Sequence, residues 1–135
     1  MPESSQINLD MIIKKANIKK GMVVADYGCG SGFFTRKIAS IITNTGIVYA
    51  VDVMKDVLIN LQKISNLSGI QNIKTIWSDL ERLGATNIAS GSVEVGFIMN
   101  TLFQTNKEKE FLNEVVRMIK VGGRIIVVDW TDEAI

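Results

Sequence analysis

The stretch Val24-Ala25-Asp26-Tyr27-Gly28-Cys29-Gly30-Ser31-Gly32-Phe33 decides how this chain folds. Its apolar start reads as a buried strand, its glycines as a turn, and Phe33 as the opening of a helix. Glycines at 28, 30 and 32 remove the Cβ atoms that would hold a ligand away from the backbone. A strand, such a turn and a helix N-terminus together form a pocket of the nucleotide-binding type. Asp26 stands at the strand's end, just ahead of the turn. A dinucleotide fingerprint, G-x-G-x-x-G, would place its third glycine at position 33, where this chain has Phe33.

Outward from that stretch the pattern alternates. Residues 7–16 carry Leu9, Ile12, Ile13 and Ala16 at helical spacing, with Asn8 as an N-cap and Gly21 as the stop. Strands are expected over 22–27, 47–51, 73–77, 93–99 and 124–130. Helices are expected over 31–42, 54–64 and 106–120. Met54, Val57, Leu58, Leu61 and Ile64 mark one apolar face of the second of these, and Phe111, Leu112, Val115 and Ile119 mark that of the third. A short segment after the third strand reads as a helical turn, and Gly122-Gly123 as the end of the last helix. Apolar strands separated by amphipathic helices imply a parallel sheet covered on both faces, hence a doubly wound α/β domain.

Composition narrows the function classes. At 135 residues the chain is long enough for one domain, residues 1–135, with a genuine core. A net charge of +1 gives no global field toward nucleic acid or an anionic membrane. Lys14, Lys15, Lys19 and Lys20 cluster, and read as a solvated helix face with its loop. The single cysteine, Cys29, allows no internal disulfide and fits a reducing compartment. With no histidine there is no Ser-His or Cys-His pair, and a transition-metal site is not expected. Neither a signal peptide nor an apolar run of membrane-spanning length is seen, so a cytoplasmic location is expected.

Residues 26–32 read D-x-G-x-G-x-G, and this resembles the first motif of class I S-adenosylmethionine-dependent methyltransferases. The resemblance extends over residues 20–130 and implies a mainly parallel Rossmann-like sheet with strand order 3-2-1-4-5. It also implies S-adenosylmethionine as cofactor. Gly28, Gly30 and Gly32, with Tyr27 between them and the strand, would bring the loop against its methionine part, and Asp26 would accept from its amino group. Asp52 ends the second strand 24 residues beyond Gly28, near the spacing of a ribose-binding acid; a helix N-cap is its structural alternative. Val53 and Met54 would flank the adenine. Asp79 would meet the adenine amino group, with Leu80 beside the ring. Asn100, at the end of the fourth strand, would face the cofactor at the topological switch point.

Asn100-Thr101-Leu102-Phe103 matches the N-P-P-Y motif of amino-group methyltransferases only at its ends, which favours the small-molecule branch. The acceptor is therefore expected to be a small molecule, with no nucleic acid and no membrane as partner. Asp129 is a candidate base, and residues 4–16 a candidate lid. The family usually adds two strands after the fifth, and these are missing here. That edge would be exposed: a shortened chain, a homodimer covering it and a naturally minimal core are the three readings. The rival functions are a cofactor-binding or dimerisation module without methyl transfer, and a nicotinamide-dependent oxidoreductase, which Phe33 disfavours.

Overall fold

The structure, a computed structural model, describes residues 8–99 and 101–129, the side chain of Phe103 excepted. Five parallel strands form one sheet in the order β3-β2-β1-β4-β5. They are β1 Val23–Tyr27, β2 Ile47–Asp52, β3 Ile73–Trp77, β4 Val93–Met99 and β5 Ile119–Val128. Among the described residues four α-helices accompany them: α1 Leu9–Ala16, α2 Phe33–Ile42, α3 Lys55–Leu67 and α4 Glu108–Met118. The doubly wound order expected from the sequence is the order observed.

Each face of the sheet has its own core. On one side Ile13 of α1, Ile38 and Ile42 of α2 and Leu61 of α3 pack on Val24, Val48 and Phe97. Phe34 meets Phe97 edge-on, with ring centres 4.9 Å apart. On the other side Phe111, Val115 and Met118 of α4 cover Tyr27 and Ile98, joined by Leu80 and Ile88 from the coil before β4. Tyr27 lies flat in that layer because Gly96 on the neighbouring strand has no Cβ; one would come within 2.7 Å of its ring.

Three boundaries differ from the sequence reading, each for a local reason. Asn8 does cap α1, its Oδ1 accepting from Met11 N–H at 3.1 Å. The helix stops at Ala16, however, because Asn17 takes the left-handed conformation at φ 55° and returns its N–H to Lys14. Gly21 serves only the turn into β1. Gly122-Gly123 does not end α4 either. The helix passes straight into β5, and the glycines lie in a bulge. There, two steps along β4, from Val93 to Val95, face five along β5, from Ile119 to Arg124. Gly122 holds φ +86° in that bulge. Finally, the segment between β3 and β4 is a run of turns with no helical turn.

Polar contacts hold that run. The carboxylate of Glu114, fully buried on α4, accepts from the N–H groups of Gly84 and Thr86 at 2.8 and 2.9 Å. Arg117 donates to the same carboxylate at 2.7 Å and also to the carbonyls of Thr86 and Ile88. One ion pair thus satisfies four backbone groups of the coil. Burial pushes the Glu114 carboxyl up, but the Arg117 and backbone hydrogen bonds outweigh it and bring it down to about 2.

The folded state thus binds this proton more weakly than the unfolded one. The stability it contributes is full above about pH 4.5 and drains away as pH falls toward 2. Replacing Glu114→Gln should cost about 3 kcal/mol at neutral pH, because Arg117 loses its counter-charge. Urea unfolding at pH 7 and pH 3 checks both the loss and its narrowing in acid.

Candidate cofactor-binding site

The C-terminal ends of the parallel strands open onto a cavity of about 650 Å³. This is where a doubly wound sheet binds ligands, because the connections from β1 and β4 leave in opposite directions there. The glycine loop forms one wall. As the chain leaves β1, the N–H groups of Gly28 and Cys29 both donate to the carbonyl of Val51, at 2.7 and 3.0 Å. The loop is thereby pinned across the end of β2.

Asp52 completes that clamp. One carboxylate oxygen accepts from Gly30 N–H at 3.0 Å, the other from Met54 N–H at 2.9 Å. The N-cap alternative does not describe it: α3 starts at Lys55, its cap position is Met54, and no side chain caps it. Asp52 instead joins the glycine loop to the β2–α3 connection, on the cavity wall. Each carboxylate oxygen has a further lone pair for a ligand hydroxyl.

Most of the expected residues meet in this cavity: Gly28, Gly30, Asp52, Val53, Met54, Asp79 and Leu80 all line it. Val53 and Met54 are both 59 % exposed, an apolar surface kept open at the rim. Asp79 accepts from Glu81 N–H at 3.0 Å, ordinary turn chemistry, and lines the cavity as well. At Gly30 an added Cβ would meet open space, so the backbone there is accessible to a ligand.

Three expected residues stand apart. Gly32 lies behind the wall, where a Cβ would run into Leu61 Cδ1; it lets the loop pack on α3. The Tyr27 side chain is buried on the α4 face, so only its backbone belongs to the loop. Asp26 is 2 % exposed beneath the loop, with Thr35 Oγ1 donating to its carboxylate at 2.7 Å. Burial pushes its carboxyl up; the Thr35 hydrogen bond opposes this and the Asp52 charge adds to it, leaving it at about 6. Asn100 lies outside the described residues, as does Trp130. The candidate lid fares differently: its described part, from Asn8, packs into the core under α2 and none of it lines the cavity, while residues 4–7 lie outside the described residues. Asp129 does not line the cavity.

Sequence reasoning missed Glu81, Met99, Thr105 and Phe111 on the far wall. Thr105 Oγ1 donates to Glu81 at 2.8 Å, linking the connections after β3 and β4. The rule that strand ends line the crevice would have found Met99; Phe111, on the apolar face of α4, reads in sequence as core packing alone. Thr101 backs the glycine loop, its hydroxyl donating to Met99 O at 3.0 Å, and a Cβ on Gly28 would meet that hydroxyl at 2.6 Å.

Among the described residues the cavity carries three carboxylates, Asp52, Asp79 and Glu81, and no lysine or arginine. It therefore suits a ligand rich in hydroxyl and amino donors, or a cation, and opposes a pyrophosphate. Cys29 offers no nucleophile: burial and the nearby Asp26 and Asp52 charges push its thiol up and keep it protonated. No cluster of metal-ligating side chains exists among the described residues.

Known proteins share both fold and sequence. The chain is 28% identical over 117 residues to the ubiquinone/menaquinone biosynthesis C-methyltransferase UbiE of Haemophilus ducreyi, covering 86% of this chain and 44% of that protein. The chain thus spans less than half the length of such relatives. A SAM dependent methyltransferase from Aquifex aeolicus superposes with a TM-score of 0.85 at 24% identity, over 95% of this chain and 66% of that one. The [4+2]-cyclase SpnF superposes with a TM-score of 0.73 at 16% identity, over 83% of this chain and 40% of that one, so the fold alone does not fix the reaction. The family model described as a methyltransferase domain matches residues 18–134, and the chain belongs to that family.

Proposed function

We propose that this domain binds S-adenosylmethionine and transfers its methyl group to a small-molecule acceptor. The observation that carries the reading is the Asp52 carboxylate, held on the cavity wall by Gly30 and Met54 N–H groups. It stands where a ribose diol could donate to it, beside the apolar pair Val53 and Met54 for an adenine and Asp79 for the adenine amino group. The acidic, cation-free wall suits a sulfonium and disfavours the pyrophosphate of a nicotinamide dinucleotide.

The cofactor supplies an electrophilic methyl group on sulfur. The protein's contribution is to bind, orient and exclude water. The glycine loop, with open space at Gly30 where a side chain would stand, lets the methionine part approach the backbone. Asp26, beneath the loop, supports the ammonium group through the field of its charge or one water. Met99, which ends β4 on the cavity wall, stands on the side from which an acceptor would approach. The relatives named as C-methyltransferases support a small organic acceptor over a nucleic acid. Cytoplasmic placement is part of the same reading. So is pairing of two copies through the outer edge of β5, where Val127 is 47 % exposed.

Isothermal titration with S-adenosylmethionine, S-adenosylhomocysteine and NAD tests the cofactor. Binding of the first two and not of NAD is expected; binding of none of the three overturns the reading. Asp52→Ala should weaken S-adenosylmethionine binding by about 1–3 kcal/mol, the loss of a charged hydrogen-bond partner. Titration of the variant alongside the parent measures it.

Asp26 gives a prediction of opposite sign for stability and binding. Its carboxyl is raised in the folded state, so stability falls as pH rises from about 3.8 through about 6. Asp26→Asn keeps an acceptor for Thr35 but carries no charge. It should raise the unfolding temperature at pH 7 and abolish that pH dependence, while lowering affinity for S-adenosylmethionine. Calorimetric melting paired with titration would separate a binding carboxylate from a structural one.

A further inference from the structure

On the far side of the β2–α3 connection from the cofactor cavity, α3 and β3 enclose a second hollow, a groove of about 470 Å³. β3 is an outer strand, so one row of its backbone groups has no partner strand among the described residues. The register shows which row. Val48 N–H donates to the Asn72 carbonyl and Ser78 N–H to the Asp52 carbonyl. Even-numbered positions therefore face β2, and the two-residue period turns the N–H and C=O groups of Ile73, Thr75 and Trp77 outward.

The side chains of Thr75 and Trp77 line the groove beside that open edge. Trp77 is 57 % exposed, an unusual setting for an indole in a parallel sheet. It is held in place: Nε1 donates to Val53 O at 2.7 Å, and the Lys55 ammonium sits 4.3 Å from the ring centre. Leu58 and the half-exposed Ile59 supply apolar surface, and Lys63 a second cation; among the described residues no carboxylate lines the groove.

An unpaired strand edge, a preset aromatic ring and two cations with no counter-charge in the groove call for one kind of occupant. We propose that this groove binds an extended acidic peptide segment of another protein, which adds a strand to β3 and sets its carboxylates against Lys55 and Lys63. Main-chain hydrogen bonds to the edge provide affinity in such a mode, and pockets for alternate side chains provide selectivity. A second copy of this chain would bring the same lysines against each other. The site stands apart from the cofactor cavity and does not depend on methyl transfer.

The test is an amide NMR titration of the full chain with a capped peptide of alternating glutamate and valine, and with its lysine–valine counterpart. Saturable shifts at Thr75, Ile59 and the Trp77 indole N–H are expected with the acidic peptide only. The double variant Lys55→Glu, Lys63→Glu should weaken the response about tenfold, while amides of β1 and α2 keep their positions. No shift at millimolar acidic peptide overturns the proposal, and so does an equal response to the lysine peptide. Shifts of the same amides on concentrating the protein alone would assign the edge to self-association and overturn it as well.

Discussion

The carbonyl of Val51 receives two N–H groups, from Gly28 and Cys29, and the site depends on that junction. It joins the end of β2 to the first turn after β1, and so determines where the glycine loop runs. Asp52, the next residue, repeats the attachment with its side chain through Gly30 N–H. Two successive residues of one strand thus anchor three of the loop. Backbone donors that would otherwise be left without partners at a sheet end are satisfied there, and the loop is held open toward the cavity. From behind, Leu61 of α3 and Thr101 after β4 press against Gly32 and Gly28, so a side chain at either position would displace the wall.

A second constraint serves the other half of the site. The segment between β3 and β4 is anchored in the core by Leu80 and Ile88 alone among its apolar side chains, yet it carries Asp79, Leu80 and Glu81 on the cavity. Glu114 and Arg117 supply the missing order from α4 by binding the backbone of Gly84, Thr86 and Ile88. An ion pair of this kind adds less net stability than its contacts imply, because both charges lose water. Its value is positional: it sets the coil against α4, and with it the far wall of the cavity.

Asp26 and Asp52 show how closely charge is packed around the loop. One is buried and raised toward neutrality by desolvation, with the negative field of the other added to it. A structure selected for stability alone would not keep a carboxylate 2 % exposed with a single hydroxyl donating to it. Carboxyl groups perturbed in this way cluster at functional sites.

The elements, the two-faced core and the place of the cavity were legible in the sequence, because apolar periodicity and the glycine spacing are local properties of the chain; the strand order came from the family resemblance. Asn8, Asp52 and Asp79 announced themselves through residue type and offset from a strand or helix end. The Gly-Gly pair misled for the same reason: read locally, it stops a helix, whereas β4 pairing recruits it into a bulge. Side-chain direction is not local. Whether Gly32 faces a ligand or Leu61, and whether Tyr27 points to the cavity or to Met118, depends on which layer each face of β1 is packed against. The same holds for Glu114, whose four hydrogen bonds include two to residues about thirty positions away. The sequence by itself determined the elements, their order and the chemistry at the strand ends. Tertiary packing alone decided which of those groups look into the cavity, because a side chain's neighbours across a sheet come from distant parts of the chain.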